Sequence, residues 1–283
     1  MRFDIVFMPE LPEVETIRKD LEGAIVGAII TDIWTDTPKM LSPSFKSVKA
    51  ESVGKKIVAV KRRAKVLMID LEGGKCLLIH LKLSGRILLR KPLTKEDIYT
   101  HIKIILKLKD GSPLEFRFCD LRKFGYVKLA NDEELKKVRE GLGPEPLDDL
   151  TLEYFQKTLA KSGKPVKTLL MDQEKFSGIG NIYANEAFFA AKVLPMRPAK
   201  SLSAEESEKL FNGVLKVIKE GLDNRGTTAK DDFYLDAFGR AGNNESNLKV
   251  YQKNGTDCLV CKGKIQRVNL GGRGTFFCPN CQH

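Results

Sequence analysis

The chain has 283 residues, 42% of them hydrophobic, so two ordinary domains with real cores fit. No apolar run approaches the ~18 residues that a membrane span needs, and residues 1–7 are too short, and at Asp4 too acidic, for a signal peptide. Cytoplasm is the expected compartment, and a membrane is not an expected partner. A formal net charge of +11 points to a polyanionic partner, with nucleic acid ahead of anionic lipid because no amphipathic anchor accompanies the charge. Charge alone does not decide it, since many soluble proteins are basic.

In chain order, Val14, Ile17 and Leu21 fall at helical spacing and predict a helix over 12–22, with Gly23 as its stop. From Ala24 to Leu129 the period changes to two. Strands are predicted at 57–62, 65–71, 76–81, 86–89, 102–109, 114–118 and 126–129, with turns at Gly73-Gly74, Ser84-Gly85 and Asp110-Gly111. Several short strands in succession imply an antiparallel sandwich or barrel. Gly141, Gly143, Pro144 and Pro146 read as a linker, after which helices are predicted at 151–161, 165–173, 181–192 and 203–222. Residues 223–248, rich in Gly, Asn and Asp, read as a loop.

Cys76 and Cys119 sit singly in apolar runs and are expected as buried reduced thiols. The other four cysteines form two C-x-x-C pairs, Cys258/Cys261 and Cys278/Cys281, separated by 16 residues. Two such pairs complete a tetrahedral shell of four sulfurs around one zinc ion, with no position left open for catalysis. The metal is therefore expected to be structural. Between the pairs, two short strands and a glycine-rich tip would present Arg273 on a basic turn suited to phosphate.

Gly178, Gly180 and Asn181 precede an apolar helix. Asn181 is expected as its N-cap, and the helix start offers N–H groups to an anion. Lys164 and Lys167 upstream favour phosphate contact there, although capping alone also accounts for Asn181.

Pro9-Glu10-Leu11-Pro12-Glu13-Val14-Glu15-Thr16 closely resembles the start of the formamidopyrimidine-DNA glycosylase family. The segments Arg63–Lys65, His80–Gly85, Asp120–Gly125, Gly143–Pro146, Leu170–Asp172, Gly178–Tyr183 and Gly226–Thr228 and the zinc hairpin resemble it in the same order, over nearly the whole chain. Leu11 stands where the related endonuclease VIII branch carries Gly, so the likeness is to the oxidised-purine branch.

The resemblance implies an α+β protein with an N-terminal antiparallel β-sandwich domain and a helical C-terminal domain with a helix–two-turn–helix element and a zinc β-hairpin. The expected parts are residues 1–8 as an extension or misassigned start, 9–140 as the catalytic domain, 147–248 as the helical domain with a lesion loop, and 249–283 as the zinc hairpin. The expected substrate is double-stranded DNA carrying oxidised purines or abasic sites, bound by a monomer. Pro9 would be the nucleophile, Glu10 the acid that opens the sugar ring, Lys65 an aid to base release and elimination, and Arg273 a grip on phosphate. Outside this resemblance, Pro9 and Glu10 are ordinary helix-start residues and Lys65 a strand-edge charge.

The target base must leave the stack to react. The resemblance places Leu83, Arg122 and Phe124 in the gap it leaves. It also implies DNA contact by Tyr99, Lys167, Asn181, Thr227, Thr228 and Lys230. Leu83 stands where the family commonly has Met, and Tyr99 where it has a DNA-contacting His. If residues 1–7 precede Met8, the Pro9 nitrogen is a tertiary amide. Translation from Met8 with removal of that residue is the expectation. A lesion binder that does not cut is the alternative, and a glycosylase for oxidised pyrimidines is disfavoured by Leu11, Arg122 and Phe124.

Overall fold

A computed structural model describes residues 8–95, 98–228 and 234–283. At its start, α1 (Leu11–Ile25) forms because Pro12 suits a first turn and Glu10 and Glu13 close a capping box. It buries Leu11, Val14, Ile17, Leu21 and Ile25 and runs two residues past the expected stop at Gly23.

Among the described residues, nine strands follow before residue 131. β1 (Ile29–Thr35), β6 (Gly85–Arg90), β7 (Thr100–Lys107) and β8 (Pro113–Asp120) make a four-stranded antiparallel sheet in the order β1-β7-β8-β6. β2 (Leu41–Ser42), β3 (Ile57–Arg63), β4 (Val66–Leu71), β5 (Cys76–His80) and β9 (Tyr126–Ala130) make a five-stranded sheet in the order β2-β9-β5-β4-β3, with only β2 and β9 parallel. α2 (Phe45–Ser52) and α3 (Asp132–Glu140) were not expected from periodicity. α3 covers Val66, Met68, Cys76, Leu78 and Ala130 with Leu135 and Val138. Leu67, Ile69, Leu77 and Ile79, which point the other way, are buried as well. A sheet covered on both faces reads as continuous apolar runs, which is why β4 and β5 alternate so weakly. Cys76 and Cys119 are buried and outside any disulfide, as expected.

The chain divides into two compact units: residues up to Glu140 together with Asn224–Asn243, and Gly141–Asp223 together with Asn244–His283. The expected single module over 147–248 is therefore interrupted. Segment 224–243 belongs to the first unit because Arg225 donates to Asp20 of α1 at 2.8 and 2.9 Å and to Asp236 at 2.6 Å. Residues 249–283 fold with the helices instead of standing alone.

In the second unit, α4 (Leu152–Ala160), α5 (Val166–Leu170), α6 (Asn181–Ala191) and α7 (Ala204–Asp223) are joined by a hairpin of β10 (Gln266–Leu270) and β11 (Arg273–Phe277). Gly271 and Gly272 both take positive φ, 57° and 73°, at the two-residue hairpin tip, a conformation that residues with a Cβ rarely adopt. The buried Glu186 carboxylate accepts the N–H groups of Lys249, Val250 and Tyr251, which ties the chain entering this module to α6.

Candidate active site

Pro9 and Glu10 are buried at the start of α1. The neighbouring Glu13 is completely buried and uses both its oxygens: Oε2 accepts from Glu10 N at 2.9 Å and Oε1 from Thr227 N at 2.8 Å. One carboxylate thus fixes the Pro9–Glu10 backbone and a residue more than two hundred positions away. Gly226 permits this. Its φ is +84°, and a Cβ there would lie 3.0 Å from Glu13 Cγ and Oε1 and 2.9 Å from Tyr234 Cε1. Thr228 is also buried. Its hydroxyl donates to Tyr234 O at 2.7 Å and accepts from Gly242 N at 2.8 Å. Thr227 and Thr228 therefore stand at the root of the expected lesion loop with the Thr228 hydroxyl committed internally, and Lys230 lies outside the described residues.

Lys65 occupies the two-residue turn between β3 and β4, after Ala64 at φ +51°, and is buried. The expected strand-edge cation is thus a turn residue withdrawn from bulk water. Its charge is felt by His80. Burial, then Lys82, then Lys65 push the His80 imidazole down to about 3, so it is neutral near pH 7. His80 Nδ1 accepts from Lys82 N at 2.9 Å, which leaves the proton on Nε2.

Leu83, Arg122 and Phe124 come from two turns joined by one buried carboxylate. Asp120 accepts from Ser84 Oγ at 2.5 Å, from Arg122 N at 3.1 Å and from Gly125 N at 2.7 Å. Ser84 Oγ in turn accepts from Arg122 N at 3.1 Å. On this frame Phe124 is 56% exposed, with the Arg122 guanidinium 5.6 Å from its ring centroid, while Leu83 is half-buried. An aromatic displayed on a fixed turn suits insertion into a base stack better than a core role. Tyr99 is 63% exposed and tilts against His101 with ring centroids 5.1 Å apart. A hydrogen bond to Asp36 holds its phenol proton more tightly than usual.

In the second unit, Lys167 departs from expectation. It is only 1% exposed, and Nζ donates to Thr275 Oγ1 at 2.8 Å, Gly274 O at 3.0 Å and Asn185 Oδ1 at 3.4 Å. An ammonium satisfied in this way clamps the zinc hairpin to α5 and α6, whereas the sequence pointed to a phosphate contact. Gly180 is the N-cap of α6, so Asn181 is its first helical residue, and Asn181 Nδ2 donates to Gly274 O at 3.2 Å. Arg273, half-buried, opens β11 beside these contacts.

The Sγ atoms of Cys258, Cys261, Cys278 and Cys281 all lie within 4.8 Å of one another. Cys258 and Cys281 are 3.9 Å apart and Cys261 and Cys278 3.4 Å, too far for disulfides. Zn–S bonds of about 2.3 Å in a tetrahedron put sulfurs about 3.8 Å apart, so the donor set fits one zinc ion.

Glu13, Asp120 and Ser84 had no assigned role in the sequence, although Glu13, three residues after Glu10, carries a capping-box signature. Asp20, Arg225 and Asp236 carried no local signal, because the cluster forms across more than two hundred residues.

Two sheets with a helix whose start carries a buried acidic pair, then helices and a four-cysteine hairpin, match the class of DNA repair glycosylases. Family models agree: the formamidopyrimidine-DNA glycosylase N-terminal domain matches residues 8–127, the H2TH domain of the same enzymes residues 142–232, and the zinc finger found in FPG and IleRS residues 257–283. The formamidopyrimidine-DNA glycosylase of Carboxydothermus hydrogenoformans is 41% identical over 277 residues, covering 97% of this chain and 100% of that protein. That of Chloroflexus aurantiacus is 39% identical, with 97% and 98% covered. A solved complex between Lactococcus lactis Fpg and an abasic site containing DNA superimposes with a TM-score of 0.89 at 31% identity, with 97% of this chain and 99% of that one covered. The chain belongs to the formamidopyrimidine-DNA glycosylase family. Among the described residues no helix is long and apolar enough to cross a membrane.

Proposed function

We propose that this chain is a bifunctional DNA glycosylase and abasic-site lyase that excises oxidised purines, 8-oxoguanine and formamidopyrimidines, from duplex DNA in the cytoplasm as a monomer. The observation that carries the reading is the Glu10–Glu13 box, in which one buried carboxylate holds the Pro9–Glu10 backbone and Thr227 together. The solved relatives from Lactococcus lactis hold abasic-site DNA and N7-benzyl-Fapy-dG DNA, which supports the same substrate class here.

The nucleophile is the Pro9 secondary amine, uncharged in part at neutral pH because α-amino groups titrate near ~8. Its lone pair attacks C1′ of the flipped nucleotide. The glycosidic bond breaks with its electron pair on the base, which takes up a proton. Glu10, as a carboxylic acid, protonates the sugar ring oxygen so that the ring opens and C1′ becomes an iminium. That electron sink acidifies the C2′ proton. Its loss expels the 3′ phosphate, and a second elimination expels the 5′ phosphate. Lys65 assists base release and elimination, and Arg273 grips a phosphate. Zinc, when bound, contributes only the fold of the hairpin.

The chemistry requires an amine at Pro9. Protein beginning at Pro9, incubated with lesion-bearing duplex and borohydride, is expected to become covalently linked to DNA, and Glu10→Gln to lose base excision while retaining lesion affinity. Trapping of a verified chain that still carries Met8 would mean that another amine attacks.

A further inference from the structure

We propose that the open cavity lined by His101, Leu121 and Lys123, of whose wall Arg122 and Phe124 are no part, is a binding subsite for a second nucleotide. The cavity has a volume of about 430 Å3, and its lining includes Arg86, Ile98, Tyr99, His101, Leu121 and Lys123. That volume falls within the ~300–1,000 Å3 range of small-ligand sites.

The turn is two-sided. Leu121 and Lys123 line the cavity, whereas Arg122 and Phe124 pair with each other and are not part of its wall. The Asp120 carboxylate holds the turn from both ends through Arg122 N and Gly125 N, so the cavity wall and the wedge are positioned by the same group.

One lining residue carries a buried imidazole. His101 is 5% exposed, and its Nδ1 lies 3.1 Å from Asp36 Oδ1 and 3.3 Å from Thr37 Oγ1. A carboxylate at Nδ1 selects the tautomer protonated there and leaves Nε2 as an acceptor. Nε2 has no hydrogen-bond partner among the described residues. Slight burial works against ionisation of Asp36, but hydrogen bonds from Thr37, His101 and Tyr99 outweigh it and hold the carboxyl below its usual range.

In the same lining, Leu121 is 75% exposed and the Tyr99 ring is largely open, two broad apolar surfaces. Lys123, at φ +56°, brings an ammonium to the same opening. A planar heterocycle between Leu121 and Tyr99, an exocyclic or ring N–H donated to His101 Nε2, and a phosphate at Lys123 together match a nucleotide. The nucleotide could come free from solution or as a base of the intact strand next to the one that Arg122 faces. The second source rests on the DNA-repair reading, and the first does not.

Two arms separate these sources. In the first, deoxyadenosine monophosphate is titrated into the DNA-free full chain while the backbone amide resonances of Ile98 and Leu121 are followed. In the second, a duplex with an abasic-site analogue carries 2-aminopurine in the intact strand, next to the position opposite the analogue, and its fluorescence reports unstacking. A saturable amide shift, or brightening on binding, is expected in the wild type. Leu121→Asp, an exposed change that leaves the core intact, should weaken the response about tenfold, as loss of one apolar leucine contact implies. Lys123→Glu should weaken it in the same direction. A response to the free nucleotide alone assigns the site to small nucleotides, and brightening assigns it to the strand. Silence in both arms, or responses unchanged in Leu121→Asp, overturns the proposal. If the wild type fails to retain the duplex, the DNA-repair reading falls while the mononucleotide arm still decides the subsite.

Discussion

Replacing Lys167 by Met separates a structural ammonium from a phosphate contact. The substitution keeps the aliphatic stem and deletes a charge that donates to Thr275 Oγ1 at 2.8 Å, Gly274 O at 3.0 Å and Asn185 Oδ1 at 3.4 Å. Hydrogen bonds to a charged group contribute about 1.5–3 kcal/mol each, and only the two shorter ones have good geometry. Relief of the ammonium's own desolvation offsets part of the loss, leaving a net cost of about 2–4 kcal/mol. For a unit of roughly 120 residues, that corresponds to a fall in Tm of about 10 °C. Thermal unfolding in zinc-buffered solution measures it, with the exposed Lys161→Met as control. The salt dependence of DNA affinity should keep its slope, because no phosphate charge is lost. An unchanged Tm with a slope reduced by about one unit would refute the structural role and restore the phosphate contact.

Gly226→Ala forces a Cβ into a left-handed backbone against Glu13 and Tyr234, costing about 1 kcal/mol in strain plus about 1–3 kcal/mol in crowding. Excision rates should fall while zinc content, measured by metal analysis, stays constant. His80 has a folded pKa of about 3 against 6.5 unfolded, so below pH 6.5 the unfolded chain holds a proton that the folded chain refuses. Its share of stability, complete above 6.5, should be lost on acidification toward 3 at up to about 1.4 kcal/mol per pH unit, and denaturation of His80→Gln should lack that slope. Zinc removal by a chelator, or Cys278→Ser, should disorder β10–β11 and weaken DNA binding, and undiminished affinity would count against a structural zinc. Arg122→Ala and Phe124→Ala should slow excision from intact lesions more than cleavage at preformed abasic sites, where unstacking is cheaper. Equal losses in a gel assay would remove them from the wedge.

The elements most legible in the sequence were those with strong local grammar. The paired cysteines at fixed spacing gave the metal shell directly, and the apolar stripes of α1 and α7 and the Gly-Asn start of the apolar α6 placed those helices to within a few residues. α2 and α3 escaped because they are short, with two buried residues in one and a single one in the other, and so leave little periodic trace. Lys167 misled for a physical reason: a lone Lys in a basic stretch looks like a surface charge, and its acceptors, Gly274 and Thr275, lie more than a hundred residues downstream. The same distance concealed Glu13, whose second partner is Thr227. Short-range patterns reveal which residues cap and turn; the buried charges that join distant segments become visible only once the chain is folded.

The return of segment 224–243 to the first unit sets an order on synthesis. Both sheets and α1 can leave the ribosome and pack while the Oε1 atom of Glu13 still awaits Thr227 N. Only after α7 has emerged does the segment that satisfies this carboxylate arrive, together with Arg225 for Asp20. A nascent chain that already has both sheets of the first unit thus carries a Glu13 carboxylate at the start of α1 with one of its two backbone partners still to come. A stretch of chain made after most of the second unit thus completes this hydrogen bonding, and a product terminated before Asn224 would lack the partners of Glu13 Oε1 and Asp20.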